Sequence, residues 1–198
     1  MNPSLTAQQL AFFSKNGFLE LEELWNETEC AHLAGEIGVG RDLWRNSPVL
    51  KKLLLSRKLS QLPLELTDSS SLRLAFDHGF PPQFSLPKPT PLKDLFCIQG
   101  LACVLLCRFS STPFSFPAKP PLGLLPFPQK PGNLLLVQPH VLIAWPKEPI
   151  GLYAVGYADP NAVFVQNERD PAVQGMKELG YHFGDTLKNE LHPLVQKR

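Results

Sequence analysis

The sequence predicts one α+β domain with a mainly β core: helices first, then antiparallel strands, then short helices. Three observations predict it. Of 198 residues, 43% are hydrophobic, enough to fill a substantial core. Strand-like alternation begins in earnest only after residue 70, behind a series of capped helices. Twelve of the 21 prolines fall between Pro81 and Pro131, where no regular helix can run far. Short strands joined by Pro-rich turns favour an antiparallel sandwich or barrel over an alternating βαβ chain.

Each element has a local reason. Thr6-Ala7-Gln8-Gln9 is a capping box that opens a helix through Phe12 and Phe13, stopped by Gly17. Leu19 and Leu21 alternate with Glu20 and Glu22 in a short strand with one wet face. A second box, Asn26-Glu27-Thr28-Glu29, opens a helix carrying Cys30, Leu33 and Ile37. Ser47-Pro48 pairs an N-cap with a first-turn proline, and another short helix follows through Leu59 and Leu62.

Leu72, Leu74, Phe76 and His78 share one parity, so they are expected on one face of a strand that ends in a histidine. Further strands are expected over 95–109 and over 134–145, the latter broken at Pro139. Two more, 152–157 and 162–165, are separated by the turn signal Asp159-Pro160-Asn161. Asp170-Pro171 caps a helix that Gly180 ends, and a polar helix from about Asp185 closes the chain. The expected organisation is a single domain: a mainly helical segment over 1–66, a β core over 72–166, and C-terminal helices over 170–198.

Composition excludes several functions. The net charge is +1 and no long basic run occurs, so nothing recommends nucleic acid or an anionic membrane as partner. The longest apolar run, 101–107, falls far short of the ~20 residues of a spanning helix. No secretory pattern opens the sequence, and the expectation is a soluble, cytoplasmic protein. Cys97, Cys103 and Cys107 share one parity; on one strand face, residues four apart lie roughly 13 Å from each other, too far for a disulfide or a common metal. Reduced core thiols are expected.

In pattern and order, over about 6–165, the chain resembles the phytanoyl-CoA dioxygenase-like proteins. The opening "TAQQLAFFSKNGFLELEELW" is similar to their entry helix and first strand, and "SLRLAFDHGF" to a core strand. "CIQGLACVLLCRF" resembles the strand after their metal-binding segment, and "PGNLLLVQPHVLIAWP…GLYAVGYADPNAVFV" their last strands. The resemblance implies a double-stranded β-helix (jelly-roll or cupin-like) and C–H oxidation with Fe(II), 2-oxoglutarate and O₂. It also implies a His-x-Asp/Glu pair, a distant His and a cosubstrate-anchoring Arg.

The residues depart from that pattern at all three points. No His-x-Asp or His-x-Glu occurs; Ile143 and Ala144 stand where the distant His belongs; Pro149, Ile150 and Gly151 stand where the Arg belongs. The expectation is therefore a degenerate, non-catalytic binding or interaction module without a cofactor. The alternative is an Fe(II)- and 2-oxoglutarate-dependent oxygenase with an unorthodox site at His78, partnered by Asp77 or His140.

Asp77 is adjacent to His78, so in a regular strand it points to the other face. His140 follows Pro139 at a strand break, where a surface loop is the bland reading. His32, His182 and His192 read as surface or packing residues, and His182 with Asp185 as a local cap. No nucleophile elbow, phosphate loop or dinucleotide fingerprint is present. The Pro-rich segment 113–131 carries Phe114, Phe116, Leu124 and Phe127. These side chains cover the barrel mouth, dock onto a second copy in a homodimer, or bind a small-molecule or protein partner.

Overall fold

In the computed structural model, which describes residues 5–81, 84, 86–109, 127, 128, 130–143, 145 and 151–197, the first four α-helices start where their caps place them. Thr6 and Gln9 form the reciprocal box of α1 (Ala7–Asn16), and Gly17, at φ 79°, ends it. That turn feeds β1 (Phe18–Leu21). Asn26 and Glu29 form the second box, of α2 (Glu27–Glu36), which leads to the two-residue β2 (Gly40–Arg41). The Ser47 and Ser56 side chains cap α3 (Pro48–Leu54) and α4 (Arg57–Leu66).

The strands are β3 (Ser71–Gly79), β4 (Thr90–Pro91), β5 (Ile98–Cys107), β6 (Leu134–Val137), β7 (Leu142–Ile143) and β8 (Tyr153–Phe164), and after α5 (Val173–Glu178) comes β9 (Leu194–Gln196). All described pairings are antiparallel. The large sheet runs β1-β6-β5-β8-β3-β2, with β9 also on β3, and β4 pairs β7 in a small second sheet.

One face of the large sheet packs on the helices through Leu74, Cys103, Leu105, Leu136 and Tyr157. The other packs on the small sheet through Phe76, Val104, Leu106, Ile143 and Trp145. This is the two-sheet arrangement of a double-stranded β-helix, mainly β, with helices on the outer face of the large sheet. No described helix is long and apolar enough to cross a membrane.

Strand β3 departs from strict alternation. Its register against β8 shifts between Leu74 and Phe76, leaving Ala75 as an extra residue. Leu72 and Leu74 therefore face the helices, whereas Phe76 faces the barrel interior. The expected single face for Leu72, Leu74, Phe76 and His78 is thus corrected: one bulge splits it between two cores. Two shifts in β5, on either side of Leu101, act likewise. Cys97 lies in the barrel core while Cys103 and Cys107 face the helices, although all four cysteines are buried and free, as expected.

The C-terminal expectation is corrected too. The only helix described beyond residue 170 is the six-residue α5, and the predicted helix from Asp185 is replaced by turns and β9. The Asp159-Pro160-Asn161 signal does mark a local turn, with the Asn161 N–H donating to Asp159 Oδ1, but it sits as a protrusion within β8 rather than between two strands.

Gly156 shows how tightly the barrel face is packed. A Cβ there would lie 2.2 Å from Phe76 Cε1, and that ring is held by Phe96 at 4.0 Å and the Arg41 guanidinium at 4.4 Å. Gly156→Ala is expected to destabilise the fold by about 1–3 kcal/mol through overpacking, read from urea unfolding midpoints. An unchanged midpoint would show that the Phe76 ring has room to move.

Candidate functional site

Arg41 and His78 are register partners across β2 and β3. His78 is 4% exposed and points into the barrel, its ring 4.5 Å from Phe80 and 6.2 Å from Phe96. Its Nδ1 is buried without a hydrogen-bond partner. Burial first, and then the positive charge of Arg41, push its pKa down to about 4, so it is neutral at pH 7.

Asp77 points the other way, toward the helices. Its Oδ2 accepts hydrogen bonds from the Tyr153 hydroxyl at 2.6 Å and the Trp44 N–H at 3.2 Å. Burial raises its pKa to about 6 despite those donors. The bulge at Ala75 precedes both residues, so it re-aims the pair together and does not bring them to one side. His140 is exposed at the turn before β7. His78, Asp77 and His140 therefore do not converge.

What does converge in the barrel is an ion pair. Arg41 Nη1 donates to Asp170 Oδ2, with the two side chains 6% and 0% exposed. The same carboxylate accepts the Cys97 N–H at 2.8 Å, and Oδ1 accepts the Ala172 N–H at 2.9 Å. The Arg41 guanidinium also lies over the Phe76 and Phe96 rings. Asp170 is held below its ordinary pKa by Arg41 and these hydrogen bonds, which outweigh its burial. Sequence reasoning read Asp170 only as a helix cap. The Ala172 contact is local and legible; the Arg41 contact spans 129 residues and has no local signal.

Of the apolar binding candidates, Phe127 is buried at 1% exposure with its ring 5.1 Å from Trp145, so it is a core residue. Phe114, Phe116 and Leu124 lie outside the described residues. His182 is exposed beside Asp185, whose Oδ2 accepts the His182 N–H in the local cap expected.

An open cleft of about 1080 Å³ lies between α2 and the sheet rim, lined by Trp25, Cys30 and Phe109 with Glu23, Asn26 and Lys130. Asn133 builds its floor: Nδ2 donates to Glu20 and Oδ1 accepts the Glu23 N–H. Gly132, at φ +86°, is required beside it, since a Cβ would lie 2.3 Å from the Trp25 carbonyl oxygen. A smaller hollow of about 180 Å³ adjoins, sharing Ala34 and Phe109 and lined also by Ile37, Phe80 and Tyr153.

No protein-family model and no curated protein matches this sequence. Solved structures do match its fold. The non-heme α-ketoglutarate-dependent carbocyclase SnoK from nogalamycin biosynthesis superposes with a TM-score of 0.69 at 15% identity, covering 97% of each chain. The epimerase SnoN, in complex with Fe³⁺, α-ketoglutarate and nogalamycin RO, gives 0.63 at 14% identity, over 94% of this chain and 97% of that one. HygX from Streptomyces hygroscopicus, with nickel and 2-oxoglutarate bound, gives 0.58 at 17% identity, over 79% and 88%. The chain therefore has the fold of non-heme iron, 2-oxoglutarate-dependent enzymes, as the resemblance implied.

These neighbours correct the expectation that no cofactor belongs with this chain. Proteins of its fold were solved with iron or nickel and with 2-oxoglutarate. The side chains described here do not fit the usual form of that centre. Among the described residues no three His, Cys, Asp or Glu groups come together to hold a metal ion. The charges acting on His78 are those of the Arg41–Asp170 pair, Arg41 disfavouring a cation there and Asp170 offsetting it in part.

Proposed function

We propose that this chain is a degenerate member of the oxygenase fold that works as a binding module rather than by turning over a C–H substrate. The observation that carries this reading is the opposed placement of His78 and Asp77, with the Arg41–Asp170 pair set among phenylalanine rings in the barrel. Carboxylate and imidazole that share no face cannot chelate one ion, because ligands at ~2.1 Å from a metal lie within about 4–5 Å of each other. The barrel interior is then a packed core.

Binding is assigned to the cleft along α2. Its lining joins one aromatic pair, Trp25 and Phe109 packed edge-to-face at 5.0 Å, to a few polar groups, among them Asn26, Lys130 and Asn133, the mixed lining of a small-molecule site. A small molecule of mixed apolar and hydrogen-bonding character is the ligand class it suits.

The test offers purified protein Fe(II), 2-oxoglutarate and O₂, with ascorbate, and measures succinate. The expected result is succinate no higher than in the protein-free control. Production of several equivalents per chain would sink the non-catalytic reading.

A further inference from the structure

The C-terminal residues 189–197 are strapped across β3 at its bulge. Strand β9 pairs Leu194–Gln196 with Ser71–Arg73, the Lys197 N–H donates to the Ser70 carbonyl at 2.8 Å, and the Leu74 N–H donates to the Pro193 carbonyl at 2.9 Å. Two arginines hold the strap from below. Arg73 Nη1 donates to Asn189 Oδ1 at 2.7 Å and to the His192 carbonyl at 2.8 Å, and Arg45 Nη2 donates to the Leu191 carbonyl at 3.1 Å.

At the centre sits His192, 1% exposed, with Nδ1 at 2.8 Å from the carbonyl oxygen of Ala75, the bulge residue itself. A carbonyl only accepts, so Nδ1 carries the proton and Nε2 of the neutral ring is bare. Nε2 is buried without a partner. The charged groups acting on this ring are Arg45 from the turn before α3, Arg41 from β2 and Arg73 from β3, and the Tyr181 ring stands edge-on at 5.9 Å. Asp42 and Asp170 pair with Arg45 and Arg41, whereas the hydrogen bonds of Arg73 go to neutral acceptors.

We propose that residues 189–197 are an acid-released latch: a proton on His192 Nε2 puts a cation beside the two arginines, Arg73 and Arg45, that hold the strap, and the strap swings off β3 while the sheet stays paired. The neutral ring fits this place and the charged ring does not. Released, His192 regains an ordinary affinity for protons; latched, it is held down to about 3, first by burial and then by Arg45. The opening constant therefore rises about tenfold for each pH unit below about 6.5, until the latched value is reached.

Amide hydrogen exchange of the full chain tests this, corrected for intrinsic rates. Protection at Leu74 and Lys197, whose N–H groups bond across the strap, is expected to fall about tenfold per unit from pH 6 to pH 4. Their exchange should be insensitive to dilute urea, because opening the strap exposes little surface. Val104 and Leu106, in the middle of the sheet, should stay at least tenfold better protected and respond to urea as global unfolding does. His192→Asn keeps an N–H donor for Ala75 without a titrating group, so the strap's excess pH slope should vanish.

Strap and sheet amides exchanging together at every pH and urea concentration would overturn the latch, as would an unchanged slope in the variant. If His192→Asn does not fold, the wild-type ring is followed by NMR. Strap release must track its protonation, and release with the ring still neutral refutes the proposal.

Discussion

Asp170→Ala is expected to destabilise the chain by about 3–5 kcal/mol, because it takes the hydrogen-bonded carboxylate from a buried Arg41 guanidinium and leaves only Asp42, 3.8 Å from Nε, as a counter-charge. The Arg41 side chain is only 6% exposed, so water cannot take over. The Cys97 and Ala172 N–H groups lose their acceptor in the same step. Against a typical stability of about 5–15 kcal/mol, this is a large share. The cause is checked with a double variant, Arg41→Met with Asp170→Leu, which removes both charges and keeps apolar contact with Phe76. It should recover most of the loss, since apolar replacements of buried ion pairs are often neutral or better. A loss under about 1 kcal/mol in Asp170→Ala would mean that the pair contributes little.

Stability is also expected to fall as pH drops from 6 to 4, by about 1 kcal/mol per unit, through a balance of opposed groups. His78 and His192 are held down to about 4 and about 3 in the fold, so the unfolded chain takes up their protons first and acid favours unfolding. Asp77 has the opposite sign. Its folded pKa is raised to about 6, so its contribution is fully present below the unfolded value near 3.8 and is lost as pH rises through 6. Asp42, raised by burial, works in the same direction as Asp77.

Between pH 6 and 4 the unfolded chain thus holds two imidazole protons, and the native chain holds one on Asp77. The difference is at most about one proton. Urea titrations at pH 7, 6, 5 and 4 read this slope directly. Asp77→Asn should roughly double it, because the compensating carboxyl is gone; a flatter profile in that variant would reverse the assigned sign.

Much of the helical half was legible because its signals are local. Thr6 with Gln9, Asn26 with Glu29, and Ser47 before Pro48 act over three residues, and each works in the fold as in the sequence. The strand content was legible from alternation and from the proline distribution. The facing of the strands was not. A bulge at Ala75 is set by packing against β8, and nothing in "SLRLAFDHGF" marks it. Arg73 and Asp77 read as one wet face, yet both are buried, each satisfied by partners distant in sequence, so their polarity pointed away from the shift rather than to it.

The candidate site was legible only as gaps. The missing His-x-Asp/Glu pair could be seen, but the groups that occupy the barrel could not. Arg41 and Asp170 are 129 residues apart; a lone Arg after Gly40 looks like any surface charge, and an Asp before Pro171 like a helix cap. His192, likewise, gained its place from Arg73 and Ala75, which are distant in sequence.

The way β3 is flanked bears on what the chain does in crowded solution. A nine-residue strand at the border of a sheet would offer a long row of free amides to any other chain. Here two short pieces divide that border, β2 against Arg41's partner end and β9 against the Ser71 end, with His192 taking the Ala75 carbonyl between them. Neither piece alone is long enough to template further pairing, and together they leave little of the border open. A chain without residues 189–197 would lose the guard over Leu72 and Leu74 and present an apolar edge, so this strap is as much a safeguard against self-association as a part of the fold.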